Sequence, residues 1–194
     1  GDKSSLFYEY LRILTETKPK YFLLENVGGM KDKDKDIISE ALGVQPIRIN
    51  SNKFSAQDRD RYYWTNIPVP EQENYPNEYA ILLDIVVPSN EVPEKYWYDV
   101  PFTYNGDYSK VQATLDIKGH DILKRVYNLN NKCGTLTKVS GGSQQKKVYQ
   151  DGRCRKLMPI EYERLQNVPD TYTEGVSDGQ RYNMLGNGWT VDVI

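Results

Sequence analysis

Histidine is nearly missing from this 194-residue chain, which carries only His120, and cysteine occurs twice, as Cys133 and Cys154. Two thiols and one imidazole do not make the ligand spacing of a zinc site, so no metal centre is expected. Nor do they make a disulfide framework, and free thiols in a reduced compartment are the expectation. No apolar run approaches the ~20 residues that span a bilayer, which excludes a membrane-spanning helix. No secretory signal is visible, so the expected setting is cytoplasmic, or nuclear in a eukaryote. Strong charge of one sign is missing too. The chain has 25 Lys and Arg against 27 Asp and Glu, which argues against a protein that coats nucleic acid nonspecifically.

What is present is a polar, tyrosine-rich composition: 38% hydrophobic residues and 16 tyrosines. The length suits one domain, or one domain with a sizeable insertion. Charge is uneven along it. Residues 68–135 carry six Lys or Arg against ten Asp or Glu, whereas residues 136–156 carry six against Asp151 alone. That second stretch holds Gly141, Gly142, Lys146 and Lys147. Such a segment is either a solvated loop or a phosphate-contacting one, and composition does not choose.

Periodicity places a helix over 4–17, with Leu6, Phe7, Tyr10, Leu11, Ile13 and Leu14 on one broad face and Pro19 ending it. Ser4 or Ser5 would cap it. Tyr21–Leu24 follows as a short apolar strand buried on both faces, giving way to Glu25, Asn26 and Val27. A second helix is expected over 34–42 before Gly43, then strands at 46–50 and 61–67 as antiparallel neighbours. This order suits the second half of a doubly wound α/β sheet. Ligands bind beyond the carboxyl ends of strands in such sheets, which makes Glu25 and Asn26 candidate site residues. From Pro68 to Lys156 the pattern is irregular, loop- and strand-rich, and reads as an insertion. A helix at 159–166, opened by Pro159, and a helical turn at 180–185 complete the chain.

Glu25-Asn26-Val27 after a strand, Gln57-x-Arg59-x-Arg61, Thr135-Leu136-Thr137 with Gly141-Gly142, Arg155-Lys156-Leu157-x-Pro159-x-Glu161-x-x-Arg164-Leu165-Gln166, and Gly186-Asn187-Gly188 occur in that order. Together with the opening Asp2-Lys3-Ser4-Ser5-Leu6-Phe7 they resemble the cytosine-C5 DNA methyltransferases from end to end. The resemblance implies a class I methyltransferase-like α/β fold: residues 1–67 and 157–194 in the catalytic domain, 68–156 a target-recognition segment. It implies S-adenosylmethionine as methyl donor and double-stranded DNA as substrate, with a cytosine flipped from the duplex. A non-catalytic DNA-binding subunit and a tRNA-directed relative are the alternatives.

Residue by residue, the resemblance assigns Glu25 to the cytosine N3 and exocyclic amine, Arg61 to the flipped base and Arg59 to ordering the site. Cytosine C5 becomes nucleophilic when a thiolate adds to C6, and a proton held near N3 lowers that barrier. A plain surface carboxylate is the bland alternative for Glu25, as is a solvated edge with Asp58 and Asp60 for the two arginines. On a strand Arg59 and Arg61 would share a face, with an anion or carbonyl between them. Leu6 and Asn187 are expected at the cofactor, the latter in a tight corner between two glycines. Asn26, Gln57, Thr135, Gly141, Gly142, Lys146 and Lys147 are expected at the DNA. The family's Pro-Cys nucleophile loop and N-terminal Gly-rich cofactor motif have no match here: Cys133 and Cys154 both lie in the recognition segment. The expectation is therefore the C-terminal part of an enzyme, completed by an N-terminal half on the same or a separate chain, and inactive by itself.

Overall fold

A computed structural model describes residues 5–75, 80–141 and 143–194. The chain divides into two compact units, Gly1–Asn50 with Asp60–Tyr75, and Ser51–Arg59 with Pro76–Ile194. The divisions expected from the sequence, at 67 and 156, are by role and do not coincide with these units.

In the first unit, helix α1 (Ser5–Thr17) is followed by strand β1 (Leu23–Val27), helix α2 (Asp32–Leu42), strand β2 (Ile47–Asn50) and, after residues of the other unit, strand β4 (Asp60–Thr65). The inward face of α1 is narrower than the sequence suggests. Phe7, Tyr10, Leu11 and Leu14 are half-buried at positions i, i+3, i+4 and i+7, while Leu6 and Ile13 stay exposed. Ser4, one of the two candidate caps, lies outside the described residues. Gly43 closes α2 in the left-handed region at φ 68°, as a glycine permits.

The central strand of the three-stranded sheet is β4, antiparallel to β1 on one side and to β2 on the other. Trp64 on β4 is fully buried, and its indole N–H donates to Ser39 Oγ on α2 at 2.9 Å, which fastens helix to sheet. One expectation is corrected here. Glu25, Asn26 and Val27 do not follow the strand but form its end, because the ladder with β4 continues through Glu25↔Tyr63 to Val27↔Arg61. The run is not buried on both faces either, since Leu23 and Leu24 are only half-buried.

In the second unit, strand β3 (Gln57–Asp58) pairs in parallel with β8 (Cys133–Gly134). Five further strands make a sheet: β5 (Phe102–Tyr104), β6 (Val111–Leu115), β7 (Arg125–Tyr127), β9 (Lys147–Gln150) and β10 (Arg153–Lys156), in the order β10-β9-β7-β6-β5. The segment read as irregular is thus built around a sheet, and the sheet is curled. Tyr149 of β9 brings its ring within 5.9 Å of Phe102 and 5.3 Å of Tyr104 on β5, three strands away in the order. Asp151 (φ 48°) and Gly152 (φ 82°) make the tight turn of the β9–β10 hairpin, the backbone that matches strand twist.

Helix α3 (Leu82–Ile85), helix α4 (Asp121–Lys124), helix α5 (Pro159–Leu165) and helix α6 (Asp178–Asn187) complete this unit. Its main core gathers Leu82, Leu136, Val148, Leu157, Tyr162 and Leu165. An ion pair is sealed inside it. Arg155 and Glu161 are wholly buried, joined by 2.8 and 2.6 Å bonds, and Glu161 also accepts from the Val87 and Met158 N–H groups. Removing one member would strand the other charge, at a cost of about 3–5 kcal/mol.

Candidate active site

In the first unit, Arg61 Nε lies 2.6 Å from Glu25 Oε1, and both side chains are largely shielded from solvent. The pair spans adjacent strands: Glu25 is on β1, and Arg61 is the β4 partner of Val27, two residues on. Arg61 Nη1 also donates to the Asp60 carbonyl at 2.8 Å. Asp60 is engaged by Arg48 at 2.6 Å, which holds its carboxyl below the usual carboxylate range. Gly28 sits against that carboxylate, where an added Cβ would come within 2.5 Å of it. Asn26 caps its own strand end, Oδ1 accepting from the Val27 N–H at 2.8 Å. It lines a cavity of about 240 Å³ together with Phe7, Tyr8 and Met30. Leu6 is 76% exposed on α1.

In the second unit a buried polar network joins four separated motifs. The Gln57 side chain accepts from the Leu136 N–H at 2.8 Å and donates to the Leu165 carbonyl and to Gln166 Oε1. Gln166 donates in turn to the carbonyls of Leu185 and Gly188, and the Thr190 hydroxyl donates to Gln166 Oε1. Arg59 spans the same two regions, Nη1 to the Leu136 carbonyl at 3.1 Å and Nη2 to the Gly188 carbonyl at 2.9 Å. The Thr135 hydroxyl donates to the Asp58 carbonyl at 2.7 Å.

Several expectations change. Gln57, expected at the DNA, has no exposed surface. Its amide is engaged by the Leu136 N–H, the Leu165 carbonyl and the Gln166 side chain, buried groups that need partners. Arg59 and Arg61 do not share a strand face, because β3 ends at Asp58, β4 begins at Asp60, and Arg59 between them belongs to neither. Arg61 meets Glu25 within the first unit, and Arg59 meets carbonyls within the second. Lys146 and Lys147 are buried rather than displayed. Lys147 spends its ammonium on three carbonyls, and burial lowers the pKa of Lys146.

The Gly-Asn-Gly corner is different from the one expected. Helix α6 runs on through Gly186 and Asn187, and Gly188 caps it with extended backbone. Asn187 and Trp189 are exposed. Thr135 is half-buried, while Lys138, Ser140 and Gly141 are exposed, Gly141 at φ 130°. Gly142 lies outside the described residues. Gln166, Thr190 and Gly186 are not singled out by the sequence; the signal for Gln166 and Gly186 is their place in the 155–166 and 186–188 motifs, and Thr190 lies two residues beyond the second. Both thiols are buried, Cys133 with its pKa pushed up to about 12 and Cys154 to about 11, by desolvation first in each case. Among the described residues no group of three or more His, Cys, Asp or Glu could hold a metal ion, and no helix is long and apolar enough to cross a membrane.

The family model for C-5 cytosine-specific DNA methylase matches residues 1–194. The chain belongs to this family. Among curated relatives it is 25% identical to the type II methyltransferase M.HpaII of Haemophilus parainfluenzae, over 99% of this chain and 63% of that protein. It is 27% identical to M.FnuDI of Fusobacterium nucleatum, over 98% of this chain and 67% of the other. The chain thus spans roughly two thirds of these relatives' length. Among solved structures, the Dnmt2 methyltransferase of S. pombe superposes with a TM-score of 0.63 at 16% identity, covering 98% of this chain and 69% of that one. The shared fold is α/β, of the class I methyltransferase type expected from the sequence.

Proposed function

We propose that this chain forms part of a DNA (cytosine-5-)-methyltransferase that transfers a methyl group to C5 of a cytosine flipped from duplex DNA. The observation that carries the reading is the shielded Glu25–Arg61 pair at the end of β1. A carboxylate and a guanidinium side by side present an acceptor and donors in fixed positions. The cytosine edge offers complementary groups: the exocyclic amine donates, O2 accepts, and N3 takes a proton as charge enters the ring. In this reading Glu25 holds that proton at N3 and Arg61 both orients Glu25 and meets the base.

Arg59 keeps its ordering role through the Leu136 and Gly188 carbonyls. Asn26 and Thr135 remain candidate DNA contacts, at a strand end and at the start of an exposed loop. S-adenosylmethionine would supply the methyl group. The exposed Leu6 side chain suits its apolar surfaces, and the exposed Asn187 amide suits hydrogen bonds to its amino-acid end. The nucleophile loop and Gly-rich motif would come from residues outside this sequence, so the 194-residue chain alone should transfer no methyl group; transfer by it alone would sink that part of the reading. Residues 68–156 would serve target recognition, with 1–67 and 157–194 catalytic, in a cytoplasmic or nuclear setting.

Glu25→Gln in the complete enzyme tests the central assignment. It keeps the shape and one donor but cannot hold the proton. Turnover should fall about 10²-fold or more, with duplex affinity nearly unchanged. Equal turnover by the two forms would remove Glu25 from the chemistry.

A further inference from the structure

Lys147 is the most enclosed lysine described, 1% exposed at the start of β9. Its Nζ donates to the carbonyls of Ser143 at 2.6 Å, Leu123 at 2.8 Å and Gln145 at 2.9 Å. An ammonium has three N–H groups, and all three are placed. The acceptors come from two segments: Leu123 lies in α4, while Ser143 and Gln145 belong to the turn that follows Gly141 and Gly142. The ammonium therefore works as a cross-link between that turn and the curled sheet. Among the described residues no carboxylate pairs with it, and the Tyr98 ring stands 5.8 Å away. Burying a charge this way is costly, and an apolar side chain would fill the space more cheaply. What the charge achieves is to hold the turn.

The loop so held is the one with exposed Lys138, Ser140 and Gly141. Its first end is fixed by Arg59 on the Leu136 carbonyl and by α6 packed against Thr137. Within it the Ser140 N–H donates to Gln144 Oε1 at 2.7 Å. Lys147 supplies the fastening at the far end.

We propose that Lys147 is a positioning residue: its ammonium, through the Ser143 and Gln145 carbonyls, fixes the turn at 143–145 in the form in which it and the exposed residues of 137–141 meet the DNA backbone. This rests on the DNA methyltransferase reading of the loop. Deprotonation leaves two N–H groups for three carbonyls, so the fastening weakens with rising pH. Burial lowers the pKa to about 8, the Lys146 charge adding to the shift, while the three carbonyl oxygens oppose it. The other charged or titratable groups on the elements packed around Lys147 are Arg153, Cys154, Arg155 and Lys156 on β10, Arg125 and Tyr127 on β7, Asp121 and Lys124 on α4, Tyr149 on β9, and Tyr98.

The test uses the complete enzyme as wild type, Lys147→Arg and Lys147→Met, from pH 7 to 9.5. Amide hydrogen exchange at 143–145 and affinity for a cognate duplex are measured side by side. At pH 7, Lys147→Met should raise exchange at 143–145 about tenfold or more, with core amides unmoved, and weaken affinity by a similar factor. Lys147→Arg should restore both. Wild type should drift towards the Met variant as pH rises, and Lys147→Arg should not. Unchanged exchange in Lys147→Met, or identical pH profiles for wild type and Lys147→Arg, would overturn the proposal. So would a loosened turn with unaltered affinity while Lys138→Ala still weakens binding. Should Lys138→Ala have no effect either, the DNA reading of the loop is what has failed.

Discussion

Gly186 sits where the Thr137 carbonyl leaves room for a hydrogen and nothing larger. A Cβ there would come within 2.2 Å of that oxygen and 2.8 Å of the Lys138 nitrogen, both backbone atoms. The glycine of the Gly-Asn-Gly motif thus serves the approach of α6 to the backbone at 137, inside one unit of the protein. The opposing atoms belong to the main chain, so a side chain at 186 has no flexible neighbour to displace.

Gly186→Ala should therefore destabilise the protein by about 1–3 kcal/mol, in the range of overpacking. Gly179 on the same helix is the control, because a Cβ added there would meet nothing within 4 Å. There the gain in helix propensity dominates, and Gly179→Ala should be neutral or stabilising by up to about 1 kcal/mol. Urea midpoints of the two variants decide it: the same sign for both would show that the Thr137 contact carries no weight.

The cysteines give a prediction with a definite sign. Burial raises the Cys133 pKa to about 12 and the Cys154 pKa to about 11. The reactive species is the thiolate, whose fraction at pH 8 falls as the pKa rises. Neither thiol should react with a disulfide reagent in the native protein at pH 8, and both should react in denaturant. Rapid native labelling of Cys133 would mean that the seam between β3 and β8 opens readily.

Local order was legible where short-range chemistry decides it. The face of α1, the left-handed glycine that ends α2, and Pro159 opening α5 all depend on residues within a few positions. What escaped depends on partners far along the chain. Glu25 looked like the residue after a strand because it is polar, yet the β4 ladder, fixed from residue 61 onwards, carries β1 through it. Gln57 looked like a surface amide, but its acceptors and donors come from Leu136, Leu165 and Gln166. Lys146 and Lys147 looked like a displayed charge for the same reason. A count of charges says nothing about which ammonium has carbonyls waiting for it.

That correction moves the electrostatic prediction to Lys138. Of the six basic residues in 136–156, Arg155 is paired with Glu161 inside the core, Arg153 is paired with Glu94, Lys146 and Lys147 are buried, and Lys156 is half-buried with its ammonium over the Tyr96 ring. Lys138 is exposed, one residue beyond the contact between Thr137 and Gly186. The field at the duplex matters more than the overall formal charge of −2, because charges farther off than a Debye length of ~8 Å are largely screened. A phosphate contact by Lys138 releases about one counterion. Lys138→Ala in the complete enzyme should then weaken binding to all duplexes alike and flatten the slope of log affinity against log salt by about one unit. Lys146→Ala should leave that slope unaltered, since its side chain is buried. The opposite pattern, a slope that moves with Lys146 and not with Lys138, would mean that the loop rearranges when it meets DNA.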